Sequence, residues 1–252
     1  MTTVEEQYAD AQNLRARIHL HEHFSTNPYP YPRWVFDGYD FGADAAVLEV
    51  GCGDGMIWRE NLDRLPRGWR LTLTDLSEGM VDEARSALAD RARYAVARVE
   101  DLPFEDESFD AVIANHMLFH VADRAQAFGE IRRVLRPGGA FLSTTIGRDH
   151  LRELRELAPP LPGSQFAQSR GRYSIETAPA ELAPFFANVT VETYDSSLRV
   201  TEVDPVVEFV RSRGGETPER LEIVRAHVRR AIASRGCFAI TTHTARIRCR
   251  KP

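Results

Sequence analysis

Residues able to do chemistry gather at three places along this 252-residue chain. The first is Val47-Leu48-Glu49-Val50-Gly51-Cys52-Gly53-Asp54-Gly55, an apolar run holding one acidic residue and closing in three alternating glycines. Glycine accepts positive φ and lets backbone approach a ligand closely, so a strand that turns into a helix through such a loop is a nucleotide-binding device. The second is Asp75, at the end of the next apolar run and 24 residues after Gly51. A carboxylate about 20 residues past such a loop accepts hydrogen bonds from ribose hydroxyls. The third is Asn115-His116-Met117-Leu118-Phe119-His120, just past another apolar run. Histidine titrates near neutral pH and serves as a general base. The i, i+4 spacing places His116 and His120 on one face of a helical turn. The competing reading makes both histidines packing or hydrogen-bonding residues of a cleft wall.

These groups need elements to position them. Strands are expected at Ala46–Val50, Arg70–Thr74, Ala92–Val96, Ala111–Ala114 and Ala140–Thr145, and helices at Ile57–Leu65, Glu78–Asp90 and Arg124–Leu135. Such alternation means βαβ units, a parallel sheet and helices on both faces. Arg136-Pro137-Gly138-Gly139 stops a helix and turns into the next strand. Ahead of this region, residues 5–23 have helical spacing. Asn27–Pro32, with prolines at alternate positions, favours extended backbone. Residues 148–188 break the rhythm, with Ala158-Pro159-Pro160-Leu161-Pro162-Gly163 unable to form a regular element. Val189–Tyr194 and Cys237–Arg248 follow as two late strands around a helix at Pro218–Ser234. The expected organisation is an N-terminal helical and aromatic lid (1–44) and a cofactor-binding domain (45–252) with a lid insertion at about 148–188.

The glycine spacing discriminates between cofactors. The loop reads G-x-G-x-G with Met56 next, whereas a dinucleotide pyrophosphate wants the third glycine later, as in G-x-G-x-x-G. Glu49 at the strand end would repel a pyrophosphate and suits a cationic amino or sulfonium centre. S-adenosylmethionine carries such centres and the ribose that Asp75 would hold.

Val47–Gly55, Thr72–Met80, Leu102-Pro103-Phe104 with Ser108-Phe109-Asp110, and Glu130-Ile131-Arg132-Arg133-Val134-Leu135-Arg136-Pro137-Gly138-Gly139 occur in the order of the motifs of class I S-adenosylmethionine-dependent methyltransferases. Over roughly residues 45–145 the chain resembles that family, in particular its type 11 branch of quinone C-methyltransferases and small-molecule tailoring enzymes. The resemblance implies an α/β, Rossmann-like, doubly wound seven-stranded sheet, mostly parallel with one antiparallel strand. It implies methyl transfer from S-adenosylmethionine to an O, N or C atom of a small molecule, as in secondary metabolism, yielding S-adenosylhomocysteine. The alternative is a protein that binds this cofactor, or an enzyme on the same fold, without methyl transfer. By the resemblance, Gly51, Cys52 and Gly53 line the methionine part of the cofactor with Glu49 nearby. Asp75 holds the ribose, with Leu76 beside it and Met80 on the adenosine side. Val99 meets adenine, and Asn115 contacts the methionine amine. The family's customary Asp-Ala pair falls here on Arg98 and Val99, so Glu100 or Asp101 would substitute for the missing carboxylate.

Composition sets the outer bounds. Net charge is −5, from 32 basic and 37 acidic residues, which is no footprint of a nucleic-acid binder. No apolar run reaches the 18 or so residues of a membrane span. Met1–Glu6 lacks the basic and apolar regions of a signal peptide, and three cysteines without C-x-x-C spacing fit a reducing cytoplasm and no zinc cluster. His19, His21 and His23 give H-x-H-x-H, of which only His19 and His23 share a helix face. A solvated or substrate-facing helix end is the favoured reading for His19, and no metal is expected. Tyr31 and Trp34, with Tyr29 and Phe36, either cover a cofactor or substrate or staple the N-terminal segment to the core. Cys52, at a helix N-terminus, sits where a thiol pKa can be depressed. It reads as a small residue that fits the turn.

Overall fold

The strand-and-helix alternation expected from the sequence builds one large sheet in the computed structural model, which describes residues 12–162 and 173–252. Its N-terminal elements are α1 (Gln12–Phe24), α2 (Tyr31–Asp37), β1 (Ala46–Val50), α3 (Met56–Arg59), β2 (Arg70–Asp75), α4 (Glu78–Leu88) and β3 (Ala92–Val96). There follow β4 (Phe109–Asn115), α5 (Arg124–Val134), β5 (Leu135–Ile146), α6 (Arg152–Leu157), α7 (Ala178–Leu182), β6 (Ala187–Tyr194) and β7 (Ser197–Val200). The last are α8 (Asp204–Arg211), α9 (Pro218–Arg235), β8 (Phe238–Thr241) and β9 (Thr244–Arg250). Two compact units divide the chain. A sheet unit takes Tyr31–Arg148, Gly171–Tyr194 and Thr244–Pro252, and a helical unit takes the described parts of Met1–Pro30, Asp149–Arg170 and Asp195–His243.

The sheet unit has strand order β3-β2-β1-β4-β5-β9-β6. The β1, β2, β3, β4 and β5 pairings are parallel, and β9 runs antiparallel to both β5 and β6. All five residues of β1 are buried, as an inner parallel strand with both faces covered demands. One side packs Leu48, Val112, Phe128, Ile131 and Phe141, and the other packs Val47, Trp58, Leu73, Ala84 and Ile113. Ser77 caps α4 by accepting from Met80 N, and Asp123 caps α5 by accepting from Gln126 N.

The helical unit has its own core of Leu20, Phe24, Leu154, Val207, Phe209, Val224 and Ile240. β7 and β8 pair antiparallel within it. Arg17 donates to Ser212 O at 2.8 Å, tying α1 to the end of α8.

Three expectations are corrected. The helix expected over Ile57–Leu65 stops at Arg59, because Asn61 Nδ2 bonds the Ile57 and Pro32 carbonyls and the chain goes on in turns. The extended backbone expected through Pro32 gives way to helix from Tyr31, where a proline in the first turn forfeits no hydrogen bond. The strand expected over Cys237–Arg248 is two strands, β8 and β9, in different sheets. β7 and α8 have no counterpart in the sequence reading. Of the helix expected over residues 5–23, the part before residue 12 lies outside the described residues.

Candidate active site

The strand order turns back between β1 and β4, whose chain continuations run to opposite edges of the sheet. Ligands of open α/β sheets bind at the carboxyl ends of strands at such a point. Here the strands present Glu49 from β1, Asp75 from β2, Asn115 and then His116 from β4, and Thr144 from β5.

The loop after β1 is built on positive φ, at 68° for Gly51, 55° for Gly53 and 72° for Gly55. A Cβ on Gly51 would come within 2.7 Å of the Met117 side chain, so the glycine lets the two segments close on each other. Asp75 holds the loop in place. Its Oδ2 accepts from Gly53 N at 3.0 Å and its Oδ1 from Ser77 N at 2.9 Å. Burial pushes the Asp75 carboxyl above its ordinary value despite these bonds.

Glu49 is 2% exposed. Its Oε2 accepts from Trp58 Nε1 at 2.5 Å and its Oε1 from Asn115 Nδ2 at 2.7 Å. Both donors are neutral, and burial pushes this carboxyl up to about 8 against their pull, with Asp75 and Asp54 adding repulsion. Asn115 Nδ2 also donates to the Tyr39 hydroxyl at 2.8 Å, and its Oδ1 accepts from Thr144 Oγ1 at 3.3 Å, so every polar atom of the amide is engaged.

His116 is held at φ 49°, an uncommon conformation for a side-chain-bearing residue. Its backbone N–H reaches Thr144 O and Oγ1, each at 3.1 Å. Its Nε2 lies 2.7 Å from the Tyr31 hydroxyl. Tyr31 packs against Trp34 and Tyr194 with ring centroids 5.8 and 5.2 Å away, and Arg246 lies 4.6 Å over the Trp34 ring. The left-handed backbone at His116 also breaks the helical turn expected through His116 and His120. His120 begins no such face: it closes a single 3-10 turn, and its ring meets Phe119 edge-on at 4.5 Å.

On the expected adenosine side, Met80 and Val99 are 1% and 5% exposed, and Leu76 is half-buried. Arg98 points out, 59% exposed, with its guanidinium 3.9 Å from the mostly buried Glu100 carboxylate. The carboxylate available there is thus that of Glu100. Burial, with Glu49 and Asp75 nearby, raises the Cys52 thiol pKa where a helix N-terminus could have depressed it, and its Sγ points to Gly53 O. His19 belongs to the helical unit, its ring 3.9 Å from that of His23, beside a cleft of about 470 Å³ also lined by Phe24, Thr26 and Arg199. Trp58, Thr144 and Met117 enter the network although the sequence reading gave them no role. Trp58 carried no polar pattern, Thr144 stood between Ser143 and Thr145 with nothing to single it out, and Met117 stood between two histidines. Among the described residues no three His, Cys, Asp or Glu side chains group as metal ligands.

A doubly wound sheet with an acidic residue and a glycine loop at the β1 end, and a carboxylate at the β2 end, defines a class I methyltransferase domain. Residues 48–143 match the family model described as "Methyltransferase domain". The chain is 37% identical over 115 residues to the malonyl-[acyl-carrier protein] O-methyltransferase of Salmonella typhimurium, covering 44% of this chain and 43% of that protein. It is 34% identical over 164 residues to a ubiquinone biosynthesis O-methyltransferase of Xanthomonas oryzae pv. oryzae, covering 62% of this chain and 66% of that one. The chain spans less than half the length of the first curated relatives it matches. Its fold matches that of a Haemonchus contortus phosphoethanolamine N-methyltransferase solved with S-adenosylhomocysteine and phosphomonomethylethanolamine. The TM-score is 0.63 at 18% identity, over 100% of this chain and 61% of that one.

Proposed function

We propose that the protein transfers the methyl group of S-adenosylmethionine to an O, N or C atom of a small molecule, releasing S-adenosylhomocysteine. One observation carries the reading: Glu49 is a buried carboxylate whose described partners are all neutral, beside a glycine loop fastened to Asp75. A buried carboxylate without a cation suits an ammonium or sulfonium group. The rest of the site fits the same ligand. Gly51 and Gly53 offer close backbone to its methionine part, Asp75 offers carboxylate lone pairs to ribose hydroxyls, and half-buried Leu76 and the Val99 backbone offer contact to adenine over the buried Met80, with Glu100 near its amino group.

When bound, the cofactor supplies a methyl group on cationic sulfur, open to in-line attack. The protein's own part is to orient that methyl group, exclude water and align the acceptor. Glu49 and Asn115 fix the amino end, and Tyr31 and Trp34 wall the space above His116. His116 is the favoured base where the acceptor must lose a proton, and His120, on its separate turn, is the second candidate. The relatives are named as malonyl-[acyl-carrier protein] and ubiquinone biosynthesis O-methyltransferases and as a ubiquinone/menaquinone biosynthesis C-methyltransferase, so they leave the acceptor open. The three cysteines are all buried and unpaired, which supports a reducing, cytoplasmic setting.

Titration calorimetry with S-adenosylmethionine, S-adenosylhomocysteine and NAD tests the reading. Binding of the first two is expected, and binding of NAD alone overturns it. Formation of S-adenosylhomocysteine in the presence of acceptors separates transfer from mere binding.

A further inference from the structure

We infer that Tyr31 and His116 form a proton relay, with Tyr31 facing the acceptor and His116 storing the proton behind it, so that the acceptor is a protic nucleophile. Hydroxyls, N–H amines and acidic C–H groups belong to this class. Carboxylates, thioethers and tertiary amines, which have no proton to lose, do not. The inference rests on the methyl-transfer reading and specifies its substrate.

The two groups lie 2.7 Å apart, from Tyr31 Oη to His116 Nε2, a short hydrogen bond between elements 85 residues apart in sequence. His116 pays for its place with backbone in the left-handed region, held there by Thr144 through two contacts to its N–H. Strain of that kind persists only where surroundings over-determine it, and it clusters at functional positions. Thr144 also donates to Asn115, whose amide holds Glu49. The pair is therefore wired to the wall proposed for the methyl donor. The next residue, Met117, seats against Gly51.

The relay assigns the proton of this bond to Tyr31, whose hydroxyl burial keeps protonated. His116 Nε2 is then an acceptor, with the ring proton on Nδ1. In the step, the acceptor's X–H proton passes to Tyr31 Oη while the Tyr31 proton passes to His116 Nε2, leaving an imidazolium. The electron pair freed on X forms the bond to the methyl carbon. The pair of the breaking carbon–sulfur bond stays on sulfur, turning sulfonium into thioether. His116 returns its extra proton to water.

Two measurements on the full chain test this. The first is 15N NMR of histidine with S-adenosylhomocysteine present. His116 is expected with Nε2 unprotonated, and Tyr31→Phe is expected to shift that nitrogen. A proton found on Nε2 overturns the relay, whatever the acceptor. The second follows S-adenosylhomocysteine formation with a catechol, a primary amine, a carboxylate and a thioether. Turnover is expected with the first two and not the others. It should fall roughly 10²–10⁴-fold in Tyr31→Phe and in His116→Asn, which keeps a residue tolerant of positive φ, with S-adenosylmethionine affinity unchanged. Full turnover in Tyr31→Phe, or turnover confined to the carboxylate or thioether, overturns it. Failure of the methyl-transfer reading is distinguishable, since it shows as no S-adenosylmethionine binding to the unmutated protein.

Discussion

Glu49 shows how much one residue can carry. Its carboxyl titrates near 8 instead of the ordinary 4.5, because it is buried with only neutral donors. The folded state therefore holds a proton that the unfolded chain releases between those values. The stability Glu49 contributes falls as pH rises through that window, by at most about 1.4 kcal/mol per pH unit. Urea unfolding at pH 5 and pH 8 is expected to show the wild-type protein losing more stability than Glu49→Gln; equal losses would mean the carboxyl is already ionised at pH 5. A cationic ligand beside Glu49 favours its charged form, so S-adenosylmethionine binding should expel a proton, seen as a buffer-dependent heat in calorimetry. Asp75 belongs to the same scale. Asp75→Ala is expected to weaken cofactor binding by about 1.5–3 kcal/mol, through loss of charge-assisted hydrogen bonds. Unchanged affinity would place the ribose elsewhere. Both carboxylates were legible from residue type and spacing. Trp58 and Tyr39 were not, since an indole and a phenol carry no sign in sequence of which carboxylate or amide they will meet.

At the level of elements, the loop between β1 and α3 is where local sequence and tertiary contact meet. The glycines at 51, 53 and 55 already imply positive φ. Only the fold shows that Gly51 must also make room for Met117. Gly51→Ala places a side chain in the left-handed region, costing roughly 1–2 kcal/mol, and presses Cβ onto Met117. A lowered melting temperature and weakened S-adenosylmethionine binding are expected together. A variant with wild-type melting and affinity would show that the loop accepts another conformation. β1 and β4 were readable because buried parallel strands are continuous apolar runs between turn residues. α3 was overestimated because Asn61 turns its side chain onto backbone carbonyls, a competition that helical periodicity does not register. The His116–His120 face was misread for the same reason: a single left-handed residue cancels the periodicity on which the expectation rested.

Across the whole molecule, the two units have separate cores, one on either face of the sheet in the sheet unit and one around Phe209, Val207 and Ile240 in the helical unit. Phe209→Ala removes a ring that is 5% exposed and is expected to cost about 3–5 kcal/mol within its own unit. Hydrogen exchange should then quicken in β7, β8 and α8 while β1, β4 and β5 stay protected; equal quickening in both would show one cooperative unit. The sequence by itself determined the parallel sheet and the placing of a glycine loop and two carboxylates at its strand ends, because these depend on burial pattern, glycine conformation and short spacing along the chain. Only the tertiary structure decided that Asn115 would engage Glu49, Tyr39 and Thr144 at once, and that Tyr31 would reach His116 across 85 residues. Those pairings depend on which strand ends and helices are brought together, and no local property of the chain encodes a distance between them.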